Sequence, residues 1–217
     1  MDPDFWHERW LADRIGFHQH ATNEYLERYW HLLDLAGGRI LVPLCGKTLD
    51  MLWLQQQGHA VAGIEISPRA VEAFYRESGL HPACTEGHGY SHWSADTIDV
   101  YCGDFFALKT ADIGAINGFY DRAALVAIPR TRRGDYAEHL ISLLPSRSSG
   151  LLVTMDYAQH AMEGPPFAVS VDEVEKLFSR SFRIEHLQDT DKLAAYPRFR
   201  ERGLDWLTEH VFRLVRT

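Results

Sequence analysis

Glu65, Asp104, Asp121 and Arg122 each stand at, or just past, the end of a short apolar stretch. In open α/β sheets that position is the strand end at which ligands bind. Glu65 follows the turn Val42-Pro43-Leu44-Cys45-Gly46 by about twenty residues, the separation at which an acidic side chain accepts hydrogen bonds from the ribose hydroxyls of an adenosine-containing cofactor. The turn has no G-x-G-x-x-G fingerprint to cushion a pyrophosphate, so a cofactor without phosphates fits better, and S-adenosylmethionine meets that requirement. As spacing alone, a plain chain reversal at Gly46 and a solvated strand end at Glu65 account for the same residues equally well. Gly103-Asp104-Phe105-Phe106 offers an acid and an aromatic face for an adenine, or else a capped turn above two core phenylalanines.

At Tyr120-Asp121-Arg122 an arginine stands beside the acid. A permanent cation there lowers the pKa of an acidic nucleophile and favours its anion. The structural alternative is an ion pair of Arg122 with Asp121 or Asp104. Ahead of all these lies Phe5-Trp6-His7-Glu8-Arg9-Trp10, followed by Phe17. Tryptophan faces attract cations by ~0.5–2 kcal/mol, which suits a lid over a sulfonium. An amphipathic segment packed on the core is the other reading, and the preferred one for Trp6.

Other chemistry fails on pattern. Gly46-Lys47-Thr48 is half a P-loop, but the glycine that should precede Gly46 by five positions is Leu41. Ser91 has Trp93 where the second glycine of a nucleophile elbow should stand. Among twelve histidines, neither Glu86, His88 and His92 nor His18 and His20 repeat a ligand spacing on a helix, so no metal is expected. The arginines Arg198, Arg200 and Arg202 read as a solvated loop or the edge of an active site.

The elements that must position these residues follow from apolar periodicity. Thr22-Asn23-Glu24 caps a covering helix that ends before Gly37-Gly38. Arg39–Leu44 and Ala60–Ile66 are apolar strands, Ile98–Cys102, Ala115–Phe119 and Leu151–Met155 are further strands, and Thr48–Gln56, Pro68–Ser78, Arg132–Leu144 and Asp172–Phe178 are helices. Strands of that kind alternating with helices mean a parallel sheet covered on both faces. Phe182–Leu187 and His210–Val215 then alternate, which predicts an antiparallel pair at the end. An α/β sheet of about seven strands closed by such a hairpin is the Rossmann-like, class I layout of S-adenosylmethionine-dependent methyltransferases. Enzymes of that layout acting on exocyclic amines carry Pro-Pro-aromatic after the acid at the Asp121 corner, and no proline stands there.

The length of 217 residues favours one domain, 1–217, with 1–36 as a lid and covering helix within it. Thirty acidic against 22 basic residues, a net charge of −8, argue against nucleic acid or anionic lipid as partners. Three cysteines without a C-x-x-C pair fit a reducing compartment. With no apolar run near ~18 residues and no basic-then-apolar start, a soluble, cytoplasmic protein is expected, and a monomer is its expected state.

The sequence closely resembles the thiopurine S-methyltransferase family in Phe5-Trp6-His7-Glu8-Arg9-Trp10 with Phe17, Val42-Pro43-Leu44-Cys45-Gly46-Lys47, Gly63-Ile64-Glu65-Ile66-Ser67, Tyr120-Asp121-Arg122-Ala123-Ala124-Leu125 and Gly164-Pro165-Pro166-Phe167. The resemblance implies cofactor contacts from Trp10, Leu44, Glu65, Ile66, Asp104, Phe105 and Arg122. It further implies Phe17 and Arg198 at the acceptor site, and a catalytic corner at Arg122 and Asp121. The implied reaction is methylation of small aromatic or heterocyclic thiols, with S-adenosylhomocysteine as product. Bacterial members extend the implication to selenium and tellurium species. A small-molecule O- or N-methyltransferase, an oxidoreductase linked to a nicotinamide dinucleotide, and a non-catalytic adenosine-ligand binder are the alternatives.

Overall fold

Residues 39–43, Arg-Ile-Leu-Val-Pro, bury four of five side chains and make a strand at the centre of a sheet. The computed structural model describes residues 3–35, 37–87 and 89–217. These form two compact units, one ending at Tyr120 and the other running Asp121–Thr217.

In chain order the first unit comprises α1 (Pro3–Leu11), α2 (Glu24–Tyr29), β1 (Arg39–Pro43), α3 (Asp50–Gln56), β2 (Ala60–Glu65), α4 (Pro68–Ser78), β3 (Ala83–Glu86), β4 (Tyr90–Ala95), β5 (Ile98–Gly103), the short α5 (Thr110–Ile113) and the start of β6 (Gly118–Arg122). Its strands lie in the order β3-β4-β5-β2-β1-β6. β1 pairs in parallel with both β2 and β6, and β2 with β5, so these strands all end at one edge. The chain reverses its direction of progress across the sheet between β1 and β6, which makes that edge a topological switch point. Asn23 caps α2 by accepting the Tyr25 N–H at 3.0 Å, and Pro68 at the first turn of α4 needs no donor there. Gly63 in β2 has a packing reason: a Cβ there would come within 2.9 Å of both Cys45 Sγ and Met51 Sδ.

The second unit carries α6 (Arg133–Leu143), β7 (Ser149–Asp156), α7 (Val171–Phe178), β8 (Phe182–Asp191), the short α8 (Pro197–Glu201) and β9 (Thr208–Arg216). β9 pairs antiparallel with β7 on one side and β8 on the other. A small core of Tyr157, Met162, Leu193, Phe199, Leu204 and Leu207 ties the segment after β7 to the one joining β8 and β9. No helix among the described residues is long and apolar enough to cross a membrane.

Alternating parallel strands and helices, and the terminal antiparallel pair, stand as expected, with two differences. The expected strand Ala115–Phe119 runs instead from Gly118 to Arg122. Asn117 uses its own N–H and side chain to bond Arg39, so the ladder with β1 starts only at Gly118. Asp121 and Arg122 are therefore the last strand residues. The antiparallel pair β3 and β4 was not expected, because β3 is exposed throughout and has no apolar run to betray it.

Candidate functional site

The carboxyl ends of β1, β2 and β5 bring together most of the residues singled out for a cofactor. Leu44 and Gly46 take positive φ values of 48° and 56°, turning the chain sharply after β1. A non-glycine residue in that region is uncommon and marks a constrained turn. Trp10 of α1 is 4% exposed and covers the turn: a Cβ on Gly46 would lie 3.2 Å from its ring. Phe17 packs edge-on against Trp10 and Trp6, with ring centres 5.7 and 5.8 Å away. His7 bonds the Ile66 carbonyl at 3.1 Å, anchoring α1 to the end of β2.

Glu65 is the centre of this arrangement. One carboxylate oxygen accepts the Gly46 N–H and the other the Ser67 N–H, both at 2.8 Å. Burial pushes its carboxyl above the ordinary range, and these backbone donors pull the other way. Each oxygen of an ionised carboxylate has about two acceptor positions, so with the Gly46, Ser67 and Ile66 N–H groups on it the carboxylate keeps acceptor capacity to spare. Cys45 alongside is pushed well up by burial and then by the Glu65 charge, so it remains a thiol. Asp104 is exposed and caps the turn into Phe105, accepting the Phe106 N–H at 3.0 Å, while Phe105 is buried at 3% exposure. Capped turn and core phenylalanine, the structural alternative for this pair, are thus both present.

In the second unit Arg122 is half-buried and Asp121 wholly buried. Asp121 accepts the Tyr136 hydroxyl at 2.7 Å and the Leu125 N–H at 3.1 Å, which secures the turn after β6. Burial pushes its carboxyl up to about 6 against those two donors. A carboxyl raised in the folded state adds stability that is complete below its unfolded value near 4 and is lost as pH rises through about 6. Tyr136→Phe removes a donor that favours the ionised form. The Asp121 titration, followed by carboxyl NMR, should then move above 6, and the variant should lose more stability at pH 8 than at pH 5, by about 1–3 kcal/mol at the higher pH. Equal losses at both pH values would mean that the hydroxyl does not bear on the charge.

Arg198 is exposed and lies over the Phe199 ring at 4.7 Å from its centre. Partial burial holds its guanidinium below the ordinary range, and the like charges of Arg202 and Arg122 add to that. The fold thereby brings Arg122 and Arg198 to one corner, with two residues that no motif in the sequence marks. Tyr196 donates to the buried Glu209 at 3.0 Å, and its phenol is pushed up to about 12 by burial and by Glu209, with Arg122 opposing. Only the neighbourhood of Tyr196 to Pro197-Arg198 could have signalled it. A cleft of about 520 Å³ in the same unit is lined by Arg130, Arg133, Asp156, Tyr157 and Phe167 among others, and by none of the cofactor or acceptor residues expected from the sequence.

Of the histidines considered for metal, His92 bonds Asp99 at 2.8 Å, His18 and His20 pack ring to ring, and His88 lies outside the described residues. Among the described residues the group close enough to share an ion is a different one, His186, Asp189 and His210.

A parallel sheet with a switch point, a turn after β1 without phosphate-binding glycines and an acid ending β2 make a layout shared with S-adenosylmethionine-dependent methyltransferases. Solved structures bear out that fold. One is a S-adenosylmethionine-dependent methyltransferase from Anabaena variabilis, with a TM-score of 0.66 at 14% identity over 99% of this chain and 95% of that one. Another is the N-methyltransferase NodS from Bradyrhizobium japonicum, solved with S-adenosylhomocysteine, with a TM-score of 0.63 at 11% identity over 100% and 99% of the two chains. The family model for thiopurine S-methyltransferase matches residues 1–217. Thiopurine S-methyltransferases of Nitrosospira multiformis and Pseudomonas paraeruginosa are 47% and 48% identical, over 99% and 100% of this chain and 98% and 100% of their own. The chain belongs to the thiopurine S-methyltransferase family.

Proposed function

We propose that this chain moves a methyl group from S-adenosylmethionine to the sulfur of small aromatic or heterocyclic thiols by direct in-line transfer. The observation that carries the reading is the Glu65 carboxylate, held by Gly46 and Ser67 at the end of β2 with acceptor capacity to spare. It fits a ribose diol, and the turn beside it, without phosphate-binding glycines, fits a cofactor without phosphates. Bound there, S-adenosylmethionine supplies a methyl group on a positively charged sulfur.

Glu65 holds the ribose, Leu44 and Ile66 line the cofactor by backbone and side chain, and Asp104 with Phe105 flanks the adenine. Trp10 closes over the turn, and residues 1–36 serve as lid and covering helix of one functional domain, 1–217. Arg122 favours the thiolate and fixes its sulfur, Phe17 and Arg198 border the acceptor, and Asp121 positions Arg122 through the turn it secures. A thiolate is already a soft nucleophile, so alignment at ~3–3.5 Å and charge stabilisation suffice without a strong general base. The carbon–sulfur bond forms as the sulfonium bond breaks, and both charges are neutralised, which favours release of thioether and S-adenosylhomocysteine. Selenolates would react by the same geometry. Methyl transfer needs no metal in this mechanism, and a monomer in the cytoplasm is the state in which we expect it.

Calorimetric titration with S-adenosylhomocysteine, followed by turnover on aryl thiol, aryl selenol, phenol and amine acceptors, tests the reading. Binding with turnover confined to thiol and selenol, undiminished by exhaustive chelation, is the expected result. Preference for phenol or amine would replace the acceptor class, binding without turnover would leave a sensor, and a rate lost to chelation would overturn the metal-free mechanism.

A further inference from the structure

His186, Asp189 and His210 lie far from any recognised ligand spacing, and the hairpin of β8 and β9 assembles them. Residues three apart on a regular strand face opposite sides of a sheet. Here the register slips between His186 and Gln188: His186 sits opposite Phe212, Gln188 opposite Val211 and Asp189 opposite His210. That irregularity turns His186 and Asp189 to one face, beside His210 across the ladder. Bulges of this kind re-aim side chains and recur near functional sites.

The three are closely set. One oxygen of Asp189 lies 2.6 Å from His186 Nε2 and 2.6 Å from His210 Nδ1. Candidate ligand atoms from all three lie within 4.8 Å of one another. The His186 ring is stacked on buried Phe212 with centres 4.8 Å apart, so its orientation is set by packing.

An independent observation comes from the far side of His210. Its Nε2 is buried, makes no hydrogen bond and faces Asp156 Oδ2 at 3.9 Å. Asp156 is itself steadied by the Tyr157 N–H on its other oxygen at 2.9 Å. His210 therefore stands between two carboxylates, one on each ring nitrogen, and this arrangement calls for a positive charge. A metal on Nδ1 supplies one and obliges Nε2 to carry the proton, which then points at Asp156. Ligating histidines ordinarily present their second nitrogen to a carboxylate in this way.

We propose that His186 Nε2, His210 Nδ1 and an Asp189 oxygen form a binding site for a divalent transition metal of borderline softness, of which zinc is the type. Two imidazoles and one carboxylate match that class and exclude calcium and magnesium, which take all-oxygen sets. Three protein ligands leave a position for water. The ion joins β8 to β9 across the bulge, and methyl transfer does not pass through it.

The test uses the full chain freed of metal and titrated with zinc by calorimetry, with the cobalt(II) visible spectrum as a second readout. The wild type should take up one equivalent and show cobalt bands of a four-coordinate nitrogen–oxygen site. His186→Gln and Asp189→Asn alter exposed side chains and should fold normally, yet each should lose that equivalent or weaken it more than about tenfold. Asp156→Asn, which leaves the three ligands in place, should weaken zinc about 10–100-fold. His210→Gln should abolish the site if it folds, and the two exposed variants decide the matter if it does not. Uptake unchanged in His186→Gln and Asp189→Asn would mean adventitious zinc on scattered histidines only and would overturn the site. So would no uptake by the wild type, leaving protons alone to hold the cluster.

Discussion

Arg122→Ala should lower kcat/KM for a weakly acidic aryl thiol by about a hundred- to a thousandfold, the usual cost of removing one preorganised charge at a reacting centre, ~2.7–4 kcal/mol. Arg122 ends β6 half-buried, close enough to act electrostatically on both Tyr196 and Arg198. A cation at a thiol lowers its pKa and fixes the sulfur, but it also stabilises the anion before it reacts. These effects oppose one another. Ionisation and positioning should win where the free thiol is mostly protonated, and the loss should shrink for an acceptor fully ionised at the assay pH. The apparent acceptor pKa in the pH–rate profile should rise in the alanine variant, and Arg122→Lys should keep part of the rate. Equal losses for both acceptors without a pKa change would assign Arg122 to the cofactor or to the fold.

Glu65→Ala should weaken S-adenosylhomocysteine about ten- to a hundredfold, or ~1.5–3 kcal/mol, as expected for lost charge-assisted hydrogen bonds. The geometry adds a second expectation. The Gly46 and Ser67 N–H groups both spend themselves on this carboxylate, and stranding a buried donor costs about 1–3 kcal/mol. Stability should fall together with affinity. Glu65→Gln separates the two roles, because its amide keeps the volume and one acceptor oxygen. It should recover a good part of the melting temperature and less of the binding. A folded Glu65→Ala protein with unchanged affinity would remove the ribose role and leave only the turn contacts.

Both expectations rest on residues that stand out in the amino-acid sequence itself, because strand ends in a parallel sheet are marked by local signals. β1 and β2 are buried on both faces and so read as apolar runs, and α4 matches its expected span, Pro68–Ser78, since proline opens it and Gly79 ends it in a left-handed conformation. The acid ending β2 and the missing phosphate glycines narrowed the cofactor by chemistry alone. Resemblance in the segments around Trp10, Glu65 and Arg122 then supplied the family, which the match over residues 1–217 bears out.

Register, pairing and burial were decided only in three dimensions. β6 starts at Gly118 because Asn117 is spent on Arg39, and that contact joins residues 78 apart in sequence. β3 exists because β4 offers it a ladder, not because its own exposed side chains demand a strand. In the sequence Asp121 is only an acid beside Arg122, and it is folding that buries it against Tyr136. Tyr196 and Glu209 meet across a loop, and His186, Asp189 and His210 meet across a slipped ladder. Periodicity reports which face of an element is apolar, because hydrophobic burial acts on each residue in its own turn or pleat. Which polar groups face one another depends on how elements pair, and pairing is a property of the folded chain as a whole.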